Sequence, residues 1–120
     1  AIRHAAADGN DQTTEDQQWQ PAENTPPVQD YPSTHSALGN AAATVLAKVL
    51  GDNTTFTMTS PTAFPAGSTR TFNSFSQAAK ENADSRVRAG IHFRFACEAG
   101  LELGNKIGNW TVDNFCKPLK

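Results

Sequence analysis

Tyr31-Pro32-Ser33-Thr34-His35-Ser36 opens the segment on which the fold turns. Pro32 pushes Tyr31 out of the helical region of backbone space, and Ser33 is a residue type that caps helix N-termini. Gly51 is a type that ends helices. These signals predict a helix from about Thr34 to Leu50, approached by extended chain from Val28 to Tyr31 after Pro26-Pro27. Within it His35, Leu38, Ala42, Val45 and Val49 step by 3, 4, 3 and 4, which is one stripe and is expected to face inward. Gly39 and Ala41 to Ala43 keep the helix thin, so a neighbouring helix can come close.

A second stretch, Ser85-Arg86-Val87-Arg88-Ala89-Gly90-Ile91-His92, sits between two more helical patterns. The first runs from about Ser74 to Arg88, with Phe72, Phe75, Ala78, Ala79 and Ala83 on its apolar side and Gly90 as its stop. The second starts near Ile91 or His92 and runs to about Trp110. His92, Phe95, Ala99, Leu103, Ile107 and Trp110 again form one stripe. Gly100, Gly104 and Gly108 recur every four residues and predict close helix–helix contact. Residues 51–69 read as loop, with a short extended piece over Thr54 to Thr59. The pattern is all-α: a single domain over 1–120, with a polar, extended lead-in over 1–32 and a helical core over 33–120 that carries long polar loops.

The bulk numbers narrow the classes. One hundred and twenty residues is one domain's length, and the apolar fraction of 38% and charged fraction of 18% fit a soluble helical protein packed with small residues. A net charge of −2, without a basic stripe, argues against a nucleic-acid partner. No apolar run approaches the ~18 residues of a membrane span. No signal peptide is visible in Ala1 to Asp8, and a secreted or periplasmic location stays open. Cys97 and Cys116 lack zinc spacing and are read as buried thiols, or as a disulfide tying the last helix to the tail. Asp8-Gly9-Asn10-Asp11 reads as a turn. A metal module around Asp8 to Asp16 is a further alternative, but a calcium loop needs Gly at its sixth position and Glu at its twelfth, so no calcium is expected. Trp19 and Pro21 are expected to pin the lead-in to the body.

The chemistry gathers at the two quoted stretches. His35 and His92 each head the stripe of their own helix, so both are expected to point inward from a first turn. There, free N–H groups and the helix dipole favour an anion. Ser33 can donate a hydroxyl, and Arg86 can grip two oxygens at once. Taken singly, each has a plain structural role: core histidine, cap, surface cation. Together they suit a tetrahedral oxyanion.

Pro32-Ser33-Thr34-His35 looks like a P-S-G-H motif, and Ser85-Arg86, five residues, then His92 looks like S-R-x5-H. The pair resembles the superfamily of vanadium-dependent haloperoxidases and type 2 phosphatidic-acid-phosphatase-like acid phosphatases. Thr25-Pro26-Pro27 to Pro32, Gly90-Ile91-His92-Phe93 and the lead-in are similar to bacterial haloperoxidase-type members. The resemblance implies an α-helical bundle, of which this chain is the C-terminal portion, and vanadate as cofactor or phosphate in its place. It implies that His92 bonds vanadate, or forms a phosphohistidine in a phosphatase. His35 would be the general acid/base. Ser33, the N–H of Thr34 and Arg86 would hold the equatorial oxygens. The implied reaction is oxidation of halide by peroxide; the alternatives are phosphomonoester hydrolysis and a non-catalytic domain with a degenerate site. Three departures stand out. Thr34 replaces Gly, Ala96 replaces an Asp that would orient His92, and the K-x6-R-P motif is absent. Weak anion binding is therefore expected of the chain alone, with an upstream segment or a second chain completing the site.

Overall fold

A computed structural model describes residues 2–115. A 3-10 segment at Ile2–Ala7 leads through turns to α1 (Thr34–Leu50), a hairpin of β1 (Phe56–Thr59) and β2 (Thr69–Phe72), α2 (Phe75–Arg88) and α3 (Arg94–Asn114). Local chemistry sets most of these ends. Ser33 caps α1 by accepting from Ser36 N, and Gly51 closes it at φ 87° with its N–H on the Ala47 carbonyl. Ser74 caps α2 in the same way, accepting from Gln77 N. The extended piece anticipated near Thr54 to Thr59 is β1, and it pairs antiparallel with β2 in the register Phe56 to Phe72 and Thr59 to Thr69.

The main interface is α1 on α3, and glycine makes it. A Cβ on Gly100 would lie 2.6 Å from the Ser33 carbonyl oxygen and 2.8 Å from Ser36 Cβ, and one on Gly108 would lie 2.6 Å from Thr44 Cβ. One on Gly104 would overlap the Ala37 carbonyl oxygen. Each helical glycine costs up to about 1 kcal/mol in propensity relative to alanine, which the close backbone contact must offset. The expected close contact at Gly100, Gly104 and Gly108 is thus present. A second core joins Ala43, Phe75 and Ala79 to Phe56 and Leu101, with Phe56 stacked 5.1 Å from Phe75.

The stripes are turned the other way from expectation. Leu38 is 67% exposed and Val49 59%; on α3, Phe95, Leu103, Ile107 and Trp110 are also exposed. The buried faces are Ser36, Ala37 and Ala43 on α1, and Ala96, Cys97 and the three glycines on α3. Small residues win because backbones can approach only where side chains are short, so the α1–α3 seam selects size rather than hydrophobicity. The large apolar side chains are left on the outer surface.

The lead-in is pinned where expected. Ala22 N donates to the Ala89 carbonyl at 3.0 Å, Arg3 Nε donates to the Trp19 carbonyl at 2.7 Å, and the Trp19 ring lies against Gly90. Asp8 to Thr13 is a turn closed by its own side chains, with Asp8 accepting from Asn10 N and Thr13 Oγ1. Cys97 is buried, whereas Cys116 and any disulfide to it lie outside the described residues. Among the described residues, no helix is long and apolar enough to cross a membrane.

Candidate functional site

The five-residue spacing between Arg86 and His92 has a local cause. α2 ends in a Schellman turn: Gly90 takes φ 72°, its N–H reaches the Val87 carbonyl at 3.0 Å, and Ile91 N reaches the Arg86 carbonyl at 3.1 Å. His92 N adds a longer bond to the same Arg86 carbonyl at 3.3 Å. Backbone bonds therefore fold His92 back onto Arg86. A side chain at position 90 would be strained at that φ and would also collide with Trp19, where a Cβ would come within 2.9 Å.

This corrects the expected position of His92. It lies in the α2–α3 turn, not in a first helical turn, because α3 begins at Arg94 with Phe93 as its N-cap residue. It is nevertheless inward as expected, at 6% exposure. Its Nδ1 lies 2.9 Å from Asp30 Oδ1, and Phe93 N donates to the same oxygen at 3.3 Å. A carboxylate only accepts, so the proton of this bond sits on Nδ1 and the Nε2 lone pair is left over when the ring is neutral. Nε2 is buried with no hydrogen-bond partner among the described residues, and so is Arg86 Nε. Buried polar atoms are rarely left unpaired, and each costs about 1–3 kcal/mol when it is.

The mouth of α1 forms the other side. Ser33 is fully buried, its N–H bonded to the Ala96 carbonyl at 2.9 Å. Its Oγ accepts from Ser36 Oγ at 3.1 Å and from Ser36 N at 3.4 Å, which leaves the Ser33 hydroxyl hydrogen uncommitted. Thr34 is the first residue of α1 and exposed; helix geometry leaves its N–H without an intrahelical acceptor.

His35 is exposed, against the expected inward position. Ser33, Ser36, Ala37 and Asn40 occupy the face pressed on α3, so His35 is carried to the flank facing α2. There Asn82 Nδ2 donates to its carbonyl at 2.8 Å, and Arg86 follows Asn82 by one helical turn. The His35 pKa is lowered from its ordinary 6.5, first by partial burial, then by the nearby charges of Arg86 and His92. The action of both on His35 sets the three side chains in one electrostatic neighbourhood. A folded-state pKa below the unfolded value means the folded chain binds fewer protons, so this residue reduces stability as pH falls below about 6.5. Replacing Arg86 by alanine should move the His35 titration part of the way back towards its ordinary value, as read by NMR. An unchanged midpoint would separate the two side chains.

Asp30 and Asn82 were not singled out by the sequence. Both act across long separations, 62 and 47 residues, which no local pattern encodes. Ala96, where a carboxylate would be expected to orient His92, is 0% exposed beneath Ser33, and its carbonyl holds the Ser33 N–H. Arg88 and His4 are exposed, Arg88 at the end of α2 and His4 in the lead-in. Among the described residues no three His, Cys, Asp or Glu side chains gather where they could hold a metal ion.

The sequence model of the VCPO second helical-bundle domain matches residues 2–120. A crystal structure described as the first bacterial vanadium-dependent iodoperoxidase is 41% identical and superposes with a TM-score of 0.73 over 79% of this chain. The chain spans 23% of that protein's length. No curated protein matches the chain. With its helices, its glycine seam and its two motif-bearing turns in place, the chain belongs to the family of the VCPO second helical-bundle domain and is a haloperoxidase-like helical domain.

Proposed function

We propose that this chain forms the oxyanion-binding portion of a vanadium-dependent haloperoxidase-like protein that oxidises halide with hydrogen peroxide. The observation that carries the reading is a pair of buried atoms without a partner among the described residues, Arg86 Nε and His92 Nε2, whose side chains both act on His35 in the first turn of α1. A donor, a lone pair and a helix N-terminus in one place suit vanadate. His92 Nε2 would bond it. Arg86, the Ser33 hydroxyl and the Thr34 N–H would hold its equatorial oxygens. Bound vanadate supplies Lewis-acid activation of peroxide. His35, whose pKa is lowered first by partial burial and then by the Arg86 charge, is suited to accept a proton from peroxide. The similar structure is named as a vanadium iodoperoxidase, which favours halide over a phosphomonoester as the substrate. Because the chain spans 23% of that protein, further cations around the anion are assigned to another segment or to a second chain.

The test adds orthovanadate, iodide and peroxide and follows triiodide, with p-nitrophenyl phosphate hydrolysis in parallel. Vanadate-dependent iodide oxidation that inorganic phosphate suppresses is expected. Ester hydrolysis without halide oxidation would move the assignment to a phosphohistidine hydrolase. Absence of both activities and of any vanadate binding by vanadium NMR would leave a non-catalytic domain.

A further inference from the structure

We infer that Asp30 is a positioning residue that fixes the tautomer of His92, taking over from an upstream loop the task that the family motif gives to the position of Ala96. The inference rests on the oxyanion-site reading above. Three observations carry it. Asp30 Oδ1 sits 2.9 Å from His92 Nδ1, and the His92 side chain is only 2% exposed, so water does not compete for that nitrogen. The same oxygen takes the Phe93 N–H at 3.3 Å, so the carboxylate is oriented by the backbone next to the ring it serves. Position 96 supplies no carboxylate, because it is Ala96, 0% exposed under the α1 mouth with its carbonyl bonded to Ser33 N.

The chemistry follows from the acceptor-only character of a carboxylate. With Asp30 in place, Nδ1 carries the hydrogen and Nε2 presents a lone pair. Without it, the neutral ring populates both tautomers, and the Nε2–H form cannot bond an electrophilic centre. Placement of Asp30 is tied to the rest of the site by sequence. Only Tyr31 and Pro32 separate it from Ser33, whose N–H is bonded to α3 and whose hydroxyl caps α1. One short segment therefore orders both the ring and the helix mouth.

Nitrogen-15 NMR of the imidazoles, with no anion present and the rings neutral, decides the matter first in the unaltered protein. A dominant Nδ1–H form of His92 is expected; a dominant Nε2–H form overturns the inference whatever the variants do. Asp30→Ala should then raise the Nε2–H population and lower orthovanadate affinity about tenfold or more, the usual effect of removing a group that orients a metal-binding histidine. Asp30→Asn, which keeps an acceptor oxygen for Nδ1 and for Phe93 N, should fall between the two. An Asp30→Ala protein with unchanged tautomer and unchanged affinity also overturns the inference. Arg86→Ala serves as the control. It should lower affinity and leave the tautomer alone. If it leaves affinity unchanged, the oxyanion reading fails, while the tautomer measurement still judges Asp30.

Discussion

Arg86→Ala should lower orthovanadate affinity about 100-fold or more while leaving the anion-free chain at least as stable as before, since truncating one member of a buried charge-assisted pair costs roughly 2–5 kcal/mol of binding. The two halves of this expectation come from one atom. Arg86 Nε is sealed from solvent without an acceptor among the described residues, so the anion-free chain carries an unmet hydrogen-bonding need there. Removing the guanidinium removes that need, worth about 1–3 kcal/mol, against the packing lost with its methylene stem. Binding loses a planar fork that matches two oxygens of a tetrahedral anion. Arg86→Lys should recover only a part, because an ammonium is a point charge without the fork. Thermal unfolding reads both halves together. A ligand at 100 times its dissociation constant stabilises a fold by about 2.7 kcal/mol. Vanadate should therefore raise the melting temperature of the unaltered chain and leave that of Arg86→Ala where it was. A variant that melts early without vanadate and still responds to it would make Arg86 a structural residue and dismantle the proposed cradle.

The parts of this arrangement that could be read from the sequence are those written in consecutive residues. Ser33 announces a helix start because a hydroxyl at that place satisfies an N–H two or three residues on. Gly51 and Gly90 announce stops because they take φ values that side chains resist. The same local logic put Arg86 near the end of one helix and His92 just past the Gly90 stop, although it set the start of α3 two or three residues early: the turn consumes Ile91 to Phe93 before helical backbone resumes at Arg94. The hairpin was half legible, with β1 marked by alternation and β2 hidden in residues that read as the approach to α2. What failed was the choice of face. Ranking by hydrophobicity turns Leu38, Val49, Leu103 and Ile107 inward, but the seam was decided by how near two backbones can come, and Ser36, Ala37 and Gly104 decide that. His35 was misplaced with its stripe. Asp30 was silent because a carboxylate three residues before a cap has no pattern of its own; its meaning arises only when the fold brings His92 to it.

The seam itself makes the second large prediction. Gly104→Val should destabilise the chain by about 3 kcal/mol, at the upper end of the usual cost of overpacking, out of a total stability of roughly 5–15 kcal/mol for a domain. The added Cβ would overlap the Ala37 carbonyl oxygen and lie 2.8 Å from Ala41 N and 3.0 Å from Asn40 Cβ. Two of those atoms are backbone, so no rotamer change relieves the contact and the helices must separate. Gly104→Ala tests the same contact with an opposing bias, since alanine favours the helix by about 1 kcal/mol, and a net loss there would show that the clash prevails. Lys106→Ala, on the solvent face two residues away, should change stability by no more than about 0.5 kcal/mol. Urea unfolding measures all three, and a Gly104→Val cost below about 1 kcal/mol would mean that α1 and α3 do not meet at this distance. The consequence for the site is specific. Asn40 Nδ2 donates to the Leu101 carbonyl at 2.5 Å, Ser33 N donates to the Ala96 carbonyl at 2.9 Å, and Gly100 lies under Ser33 and Ser36. Prising the helices apart at Gly104 therefore moves the mouth of α1 away from the turn that holds Arg86 and His92. Vanadate affinity should fall with stability in the Gly104→Val protein although no anion-binding side chain has been touched, because the seam of glycine contacts and hydrogen bonds between α1 and α3 helps hold the donors on α1 in register with the acceptor lone pair after α2.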